Sequence, residues 1–203
     1  MIEPSRVAAV VLAAGASSRF GSPKALALLW GRPILQRVLD EAARPGFGEI
    51  VVVLGHGAGE IERQLQWRDE RRVRNPNPDA GLSSSVRVGF GCLSGRTDAA
   101  IVMLGDQPLV RCEVLVELLA GFESTRRPIV VPRYSDSGNP NPLLIHRMAW
   151  PLVLETRADS GLWPVIRDRP DLVVTVDVEG SNPDVDTLEQ LAALEALGEP
   201  EGR

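Results

Sequence analysis

Short apolar runs of strand length alternate with amphipathic stretches of helical length along the chain, and few folds are open to that pattern. The runs are too apolar to leave a face in water, so both faces of the sheet must be covered. Crossover helices do this, and the strands they join run parallel. Strands are predicted over residues 7–13, 49–54, 71–74, 99–104, 128–132, 143–145 and 172–176. Helices are predicted over 33–43, 59–67, 82–93, 113–123, 148–156, 161–167 and 187–197. The first of these has Pro33 in its opening turn, and the last is capped by Asp186 or Thr187. Residues 134–142, rich in Ser, Gly, Asn and Pro, read as a loop. No repeat, low-complexity block or domain-length linker breaks the pattern. One α/β domain is expected over 1–203, with a frayed tail from about residue 198.

The charge balance narrows the partners. Net charge is −5, with 24% of residues charged and the two signs dispersed. A duplex-binding protein needs a basic stripe to neutralise phosphates, so nucleic acid is excluded as the main partner. A smaller polyanion stays admissible where positive charge is concentrated locally. Cys92 and Cys112 have no metal-ligand spacing and read as small hydrophobes in a reducing compartment. The apolar run 7–14 is too short to span a bilayer, so no membrane partner is expected and a cytoplasmic location is. Of 22 basic residues, 21 are arginine and one is lysine, Lys24. A compact ammonium can reach between phosphates where a planar guanidinium cannot fit.

Lys24 closes the chain's strongest motif, Leu12-Ala13-Ala14-Gly15-Ala16-Ser17-Ser18-Arg19-Phe20-Gly21-Ser22-Pro23-Lys24. A loop of small residues leaving a buried strand lets backbone N–H groups approach phosphate oxygens with no side chain between. Ser17 and Ser18 add hydroxyl donors, Arg19 can fork onto a phosphate, and Lys24 can neutralise charge that grows in a transition state. A Walker loop is excluded, because Lys24 follows Pro23 and precedes Ala25; the three spaced glycines of the dinucleotide fingerprint are also missing.

The second motif is Gly105-Asp106-Gln107-Pro108, directly after a central apolar strand. A carboxylate there lies at the carboxyl edge of the sheet, where open α/β folds bind ligands, and can hold Mg²⁺ through oxygen. Capping of the next helix is the plainer alternative for Asp106. Asp184 and Asp186 follow the last strand; one is expected to face the site and the other to cap the final helix, with Asp184 favoured for the metal. Asn75 and the run Gly81-Leu82-Ser83-Ser84-Ser85 suggest a ligand cradle at a helix start, with plain capping by Ser83 as the alternative, and Arg87 lies one turn on. His56, between Gly55 and Gly57, reads first as a solvated loop residue and otherwise as a neighbour of a nucleotide base. The 138–142 loop is a candidate cover for a second substrate.

Together these motifs resemble the molybdenum cofactor nucleotidyltransferases, within the larger group that includes sugar-nucleotide and methylerythritol cytidylyltransferases. The pattern L-A-A-G-x-S-x-R-x-G-x-x-K carries the likeness to the larger group, while Gly-Asp-Gln-Pro with Gly-Leu-Ser-Ser-Ser leans toward the molybdopterin cytidylyltransferases. The likeness runs from about Val7 to Leu197. It implies a three-layer, mostly parallel, doubly wound sheet of the Rossmann-like, GT-A-like kind, Mg²⁺ dependence and pyrophosphate release. Arg19 and Lys24 would hold the triphosphate and Asp106 the metal, with Asp184 as a further metal ligand. Nucleotide contacts are expected from Leu12, Ala13, Ala14, Gly15, Ser17, Ser18, Gly55, Asn75, Gly81, Ser83 and Ser84. Ala13-Ala14-Gly15 is the version seen in cytidylyl- and uridylyltransferases, which favours CTP over a purine nucleotide. The usual Gly-Asp-x-Gly element reads Ala158-Asp159-Ser160-Gly161 here.

The expected reaction is in-line attack by an acceptor phosphate on the α-phosphorus. No covalent enzyme intermediate and no Ser-His or Cys-His pair is needed. Three readings stand. The first is transfer of CMP from CTP to molybdopterin, with a client molybdoenzyme as a possible partner. The second is the same chemistry on a sugar or alditol phosphate. The third is a non-catalytic carrier of a nucleotide or pterin.

Overall fold

The computed structural model describes residues 2–16 and 20–199. In chain order the elements are β1 (Val7–Ala13), β2 (Leu28–Leu29), β3 (Arg32–Pro33), α1 (Ile34–Ala43), β4 (Glu49–Leu54), α2 (Ala58–Gln64), β5 (Arg71–Arg74) and α3 (Leu82–Gly91). There follow β6 (Ala99–Leu104), α4 (Cys112–Thr125), β7 (Ile129–Tyr134), β8 (Ser137–Gly138), β9 (Leu143–His146), α5 (Trp163–Arg167), β10 (Val173–Val178), β11 (Ser181–Asn182) and α6 (Leu188–Ala196). Seven strands form one sheet in the order β10-β7-β9-β6-β1-β4-β5. All neighbours pair in parallel except β9, which is antiparallel to both β6 and β7. Only residues 135–142 separate β7 from β9, too few for a parallel crossover, so the chain must double back.

The two faces of the sheet can be read along β1. Val7, Ala9 and Val11 point into a core shared with α1, α2 and α4, where Leu35, Leu39, Ile61, Leu115 and Leu118 are buried. Val10 and Leu12 point to the opposite core, with Val86 of α3, Val153 and Ile166 of α5. That is the three-layer, mostly parallel arrangement anticipated from the alternation of runs. Among the described residues, no helix is long and apolar enough to cross a membrane.

Several elements depart from expectation for identifiable reasons. Residues 148–156 were expected as an α-helix, but Arg147–Glu155 form a 3₁₀ helix with Pro151 inside it, whose ring removes an N–H donor. Helix α1 begins after Pro33, which takes the N-cap position. The pair β2–β3 turns through Trp30 (φ 50°) and Gly31 (φ 75°), and two successive positive φ values define the tight turn that suits a hairpin's twist. Helix α6 is capped by Thr187, whose side chain accepts from Gln190 N–H while the Gln190 side chain reaches back to the cap's own backbone. Asp186 is therefore freed from the capping role expected for it.

Candidate active-site cleft

The chain runs from β1 out to β4 and β5 on one side, then returns to β6 on the other, so strand order reverses at β1. Open α/β sheets have a crevice at such a point, beyond the carboxyl ends of the strands. Here the strand next to β1 on each side is followed directly by a glycine. A Cβ on Gly55 would lie 2.4 Å from the Ala14 carbonyl oxygen, and one on Gly105 would lie 2.9 Å from the Ala13 Cβ. The small-residue loop after β1 can therefore settle between its neighbours. Gly55 makes this close approach and is not among the residues that line the crevice. Ser17, Ser18 and Arg19 lie outside the described residues.

The crevice holds two adjoining chambers of about 510 and 440 Å³, a combined size suited to a small-molecule substrate and a nucleotide together. Leu12, Gly15, Ala16, His56, Asp106, Asp159 and Asp186 face both. Ala13, Phe20 and Lys24 are confined to the first, and Ala14, Gly81, Ser85 and Asp184 to the second. Residues 24 and 106, eighty-two positions apart in sequence, thus share one cavity.

They also touch. Lys24 Nζ lies 2.7 Å from Asp106 Oδ2 and 2.9 Å from Asp186 Oδ1. Burial alone pulls the Lys24 ammonium toward neutrality, but Asp106 and Asp186 outweigh it, and its pKa is raised. The lysine stays charged. Asp106 is left to the cleft because α4 takes Arg111 as its N-cap, five residues on. The segment after β11 is anchored by Val185, fully buried among Phe20, Leu29 and Ile34, whose N–H donates to the Asp106 carbonyl at 3.0 Å. In extended backbone, residues two apart share a face. With Val185 turned inward, Asp184 and Asp186 both reach the cleft, where only one of them was expected.

The cradle at α3 is built differently from expectation. Gly81 (φ 87°) is its N-cap, in place of Ser83, and Ser83 is buried. Buried Asn75 donates to Ser85 Oγ at 3.0 Å and accepts from Ser84 Oγ at 3.0 Å. Asn75, Ser83 and Ser84 therefore brace the turn from behind and do not line the cleft; Gly81, Leu82 and Ser85 form its wall. Arg87 is exposed and donates to the Thr156 carbonyl, which ties α3 to the 147–155 segment and keeps the guanidinium away from any anion in the cleft. His56 does more than a solvated loop residue, pairing through Nε2 with Asp79 Oδ1 at 2.8 Å at the rim of the second chamber. Asp79 carried no signal of its own, while Asp159 stood out only as the acidic residue of the altered Gly-Asp-x-Gly element; positions 56, 79 and 159 come to one chamber only through the fold.

Asp106 and Asp186 hold the Lys24 ammonium and Asp184 lines the same crevice, and carboxylate oxygens of this kind suit a hard divalent ion. Burial, then the neighbouring Asp106 and Asp186 carboxylates, raise the Asp184 pKa, against the Gln107 hydrogen bond. That mutual repulsion is what a bound divalent cation relieves, so the donor set fits. In this state Lys24 holds the cation position between Asp106 and Asp186. Among the described residues, the group with ligand atoms within 4.8 Å of one another is Glu41, Cys112 and Glu113. It lines neither chamber, Glu41 already accepts from Arg44 and the Cys112 N–H, and burial pushes the Cys112 thiol up to about 11. It is an α1–α4 clamp.

Comparison with known proteins agrees with this geometry. Residues 9–173 match the family described as the MobA-like NTP transferase domain. The protein Rv0371c of Mycobacterium tuberculosis H37Rv superposes with a TM-score of 0.83 at 28% identity, over 94% of this chain and 98% of that one. A nucleotidyl transferase from Methanothermobacter thermautotroptrophicus superposes with a TM-score of 0.76 at 26% identity, over 95% and 97%. The bifunctional protein GlmU of Sorangium cellulosum is 36% identical over 129 residues, which are 60% of this chain and 27% of that protein. The chain thus spans about a quarter of the length of the curated relatives it matches. A buried β1, a small-residue loop ending at Lys24, and Asp106 across the same crevice are the frame that this family model covers, and the chain belongs to the MobA-like NTP transferase family.

Proposed function

We propose that the chain transfers CMP from CTP to the terminal phosphate of a phosphorylated small molecule, with molybdopterin the favoured acceptor, and releases pyrophosphate. The observation that carries this is the 2.7 Å contact of Lys24 with Asp106 inside the crevice at the carboxyl ends of β1 and β6. A carrier has no need of a cation poised to compensate transition-state charge.

In the reaction, an acceptor phosphate oxygen forms a bond to the α-phosphorus, and the bond from that phosphorus to the bridging oxygen breaks. Pyrophosphate leaves with the electron pair, and no proton needs to be taken by the enzyme. Both reacting groups are anions, so the protein's task is positioning and charge compensation. Lys24 exchanges its carboxylate partners for phosphate oxygens. Asp106 and Asp184 would hold Mg²⁺, which when bound neutralises the polyphosphate and stabilises the leaving group. A structure of Rv0371c in complex with manganese, 27% identical to this chain, supports the use of a divalent ion. The loop 13–15, Ala-Ala-Gly and not Gly-Gly, supports a pyrimidine base.

The second chamber carries Asp79 and Asp159 on its wall. Carboxylates suit an acceptor rich in O–H or N–H donors, so a sugar or alditol phosphate is the alternative to a pterin. Pyrophosphate release is the test, with CTP, GTP, UTP and ATP each combined with Mg²⁺ and with molybdopterin, a sugar phosphate or an alditol phosphate. Release with CTP and molybdopterin above every other pair is the expected result. Acceptor-independent binding without release under all pairs contradicts it.

A further inference from the structure

The Asp184 carboxylate is held at both oxygens. Gln107 Nε2 donates to its Oδ1 at 2.8 Å, and Asn139 Nδ2 donates to its Oδ2. Gln107 is 1% exposed and Asn182 is 0% exposed, so their amides depend on protein partners. Gln107 Oε1 accepts from Asn182 Nδ2 at 3.1 Å, and the same Nδ2 reaches the Asn141 carbonyl at 3.2 Å. The Tyr134 hydroxyl donates to that carbonyl at 2.9 Å.

The direction of this chain of bonds is forced. An ionised carboxylate only accepts, so Gln107 must present its NH₂ to Asp184 and its carbonyl to Asn182. Turned over, it would set oxygen against oxygen and donor against donor. Packing alone does not call for such an arrangement. Burying two amides costs free energy that an apolar pair would not, and Asn182 Oδ1 is left buried with no hydrogen-bond partner. What the network does secure is the orientation of one carboxylate on the wall of the cleft.

We propose that Gln107, backed by Asn182, is a positioning residue that sets the Asp184 carboxylate for the divalent cation it shares with Asp106. Asn139 holds the other oxygen from the 139–142 segment. The inference rests on the proposed role of Asp184 as a metal ligand. Polar groups that orient a ligand commonly change metal affinity by about 10- to 100-fold when removed.

The test is a Mn²⁺ titration of the whole chain, read by the electron paramagnetic signal of the free ion, alongside thermal melting and the metal dependence of pyrophosphate release. Gln107→Leu, close in volume but without a donor, is expected to weaken Mn²⁺ binding by about 10- to 100-fold. The metal concentration for half-maximal release should rise with it, while kcat at saturating metal stays close to wild type. Asn139→Ala, at an exposed position, should weaken binding in the same direction by less, and it decides the matter if Gln107→Leu does not fold. Gln107→Asn, which keeps the amide but shortens it, should recover part of the affinity. Wild-type Mn²⁺ affinity in Gln107→Leu, even with a lowered melting point, overturns the inference and leaves the proposed function standing. If the unsubstituted chain binds no Mn²⁺, both fall together.

Discussion

Lys24→Ala is expected to lower kcat/KM for pyrophosphate release by about 10²–10³, the scale of one lost electrostatic stabiliser in a water-poor site. The physical reason lies in what the cleft contains. Among the described residues, Asp79, Asp106, Asp159, Asp184 and Asp186 line the two chambers, and Lys24 is the cation among them. A triphosphate entering that field needs the ammonium more than it would on a basic surface. Lys24 is also held in readiness, with its side chain only 16% exposed and two carboxylates keeping it charged. Lys24→Arg should not restore the rate. The guanidinium is planar and wider than an ammonium and cannot take the same place between Asp106 and Asp186. Steady-state kinetics of the three proteins check this, and a rate near wild type in Lys24→Ala removes the electrostatic account.

Asp106→Ala is expected to cost a similar factor of about 10²–10³ in kcat/KM, but through a different dependence. Without this carboxylate the metal would lose its proposed ligand, so the Mg²⁺ concentration for half-maximal rate should rise steeply. In Lys24→Ala that concentration should not rise, because the ammonium and the metal would compete for Asp106 in the free protein. The two changes should also be far from additive, since each removes part of one charge-compensating unit. Metal titrations of both single variants and the double variant separate these patterns. Equal metal requirements in wild type and Asp106→Ala would place the metal elsewhere.

The fold was open to sequence reading where one local rule decided it. The apolar runs of β1, β4 and β6 match the observed strands residue for residue, because a strand buried on both faces has to be continuously apolar or tightly paired. Asp106 was readable for a related reason, since it lies two residues after the end of β6, and Lys24 because it closes the small-residue loop that leaves β1 and is the chain's one lysine. Other features were decided by tertiary structure. Whether 184 and 186 both face the cleft depends on Val185 finding a pocket among Phe20, Leu29 and Ile34. Whether Asn75, Ser83 and Ser84 meet a ligand or brace a turn depends on hydrogen bonds between segments seven to ten residues apart. The His56–Asp79 pair and the nearby Asp159 come from three separate loops. The 147–155 segment had an apolar pattern that suits a helix, yet Pro151 diverted it to a 3₁₀ form.

Lys24 is the sole lysine of the chain, which makes one measurement unusually direct. Protein labelled with ¹³C at the lysine ε-carbon gives a single side-chain signal, and that signal reports on residue 24 alone. On addition of CTP and Mg²⁺ it is expected to shift as the ammonium leaves Asp106 and Asp186 for phosphate oxygens. With Mn²⁺ in place of Mg²⁺ it should broaden beyond detection, since the paramagnetic ion would sit on Asp106 within the same cleft. A signal that keeps its position and width with saturating CTP and Mn²⁺ would show that nucleotide and metal bind away from this pair.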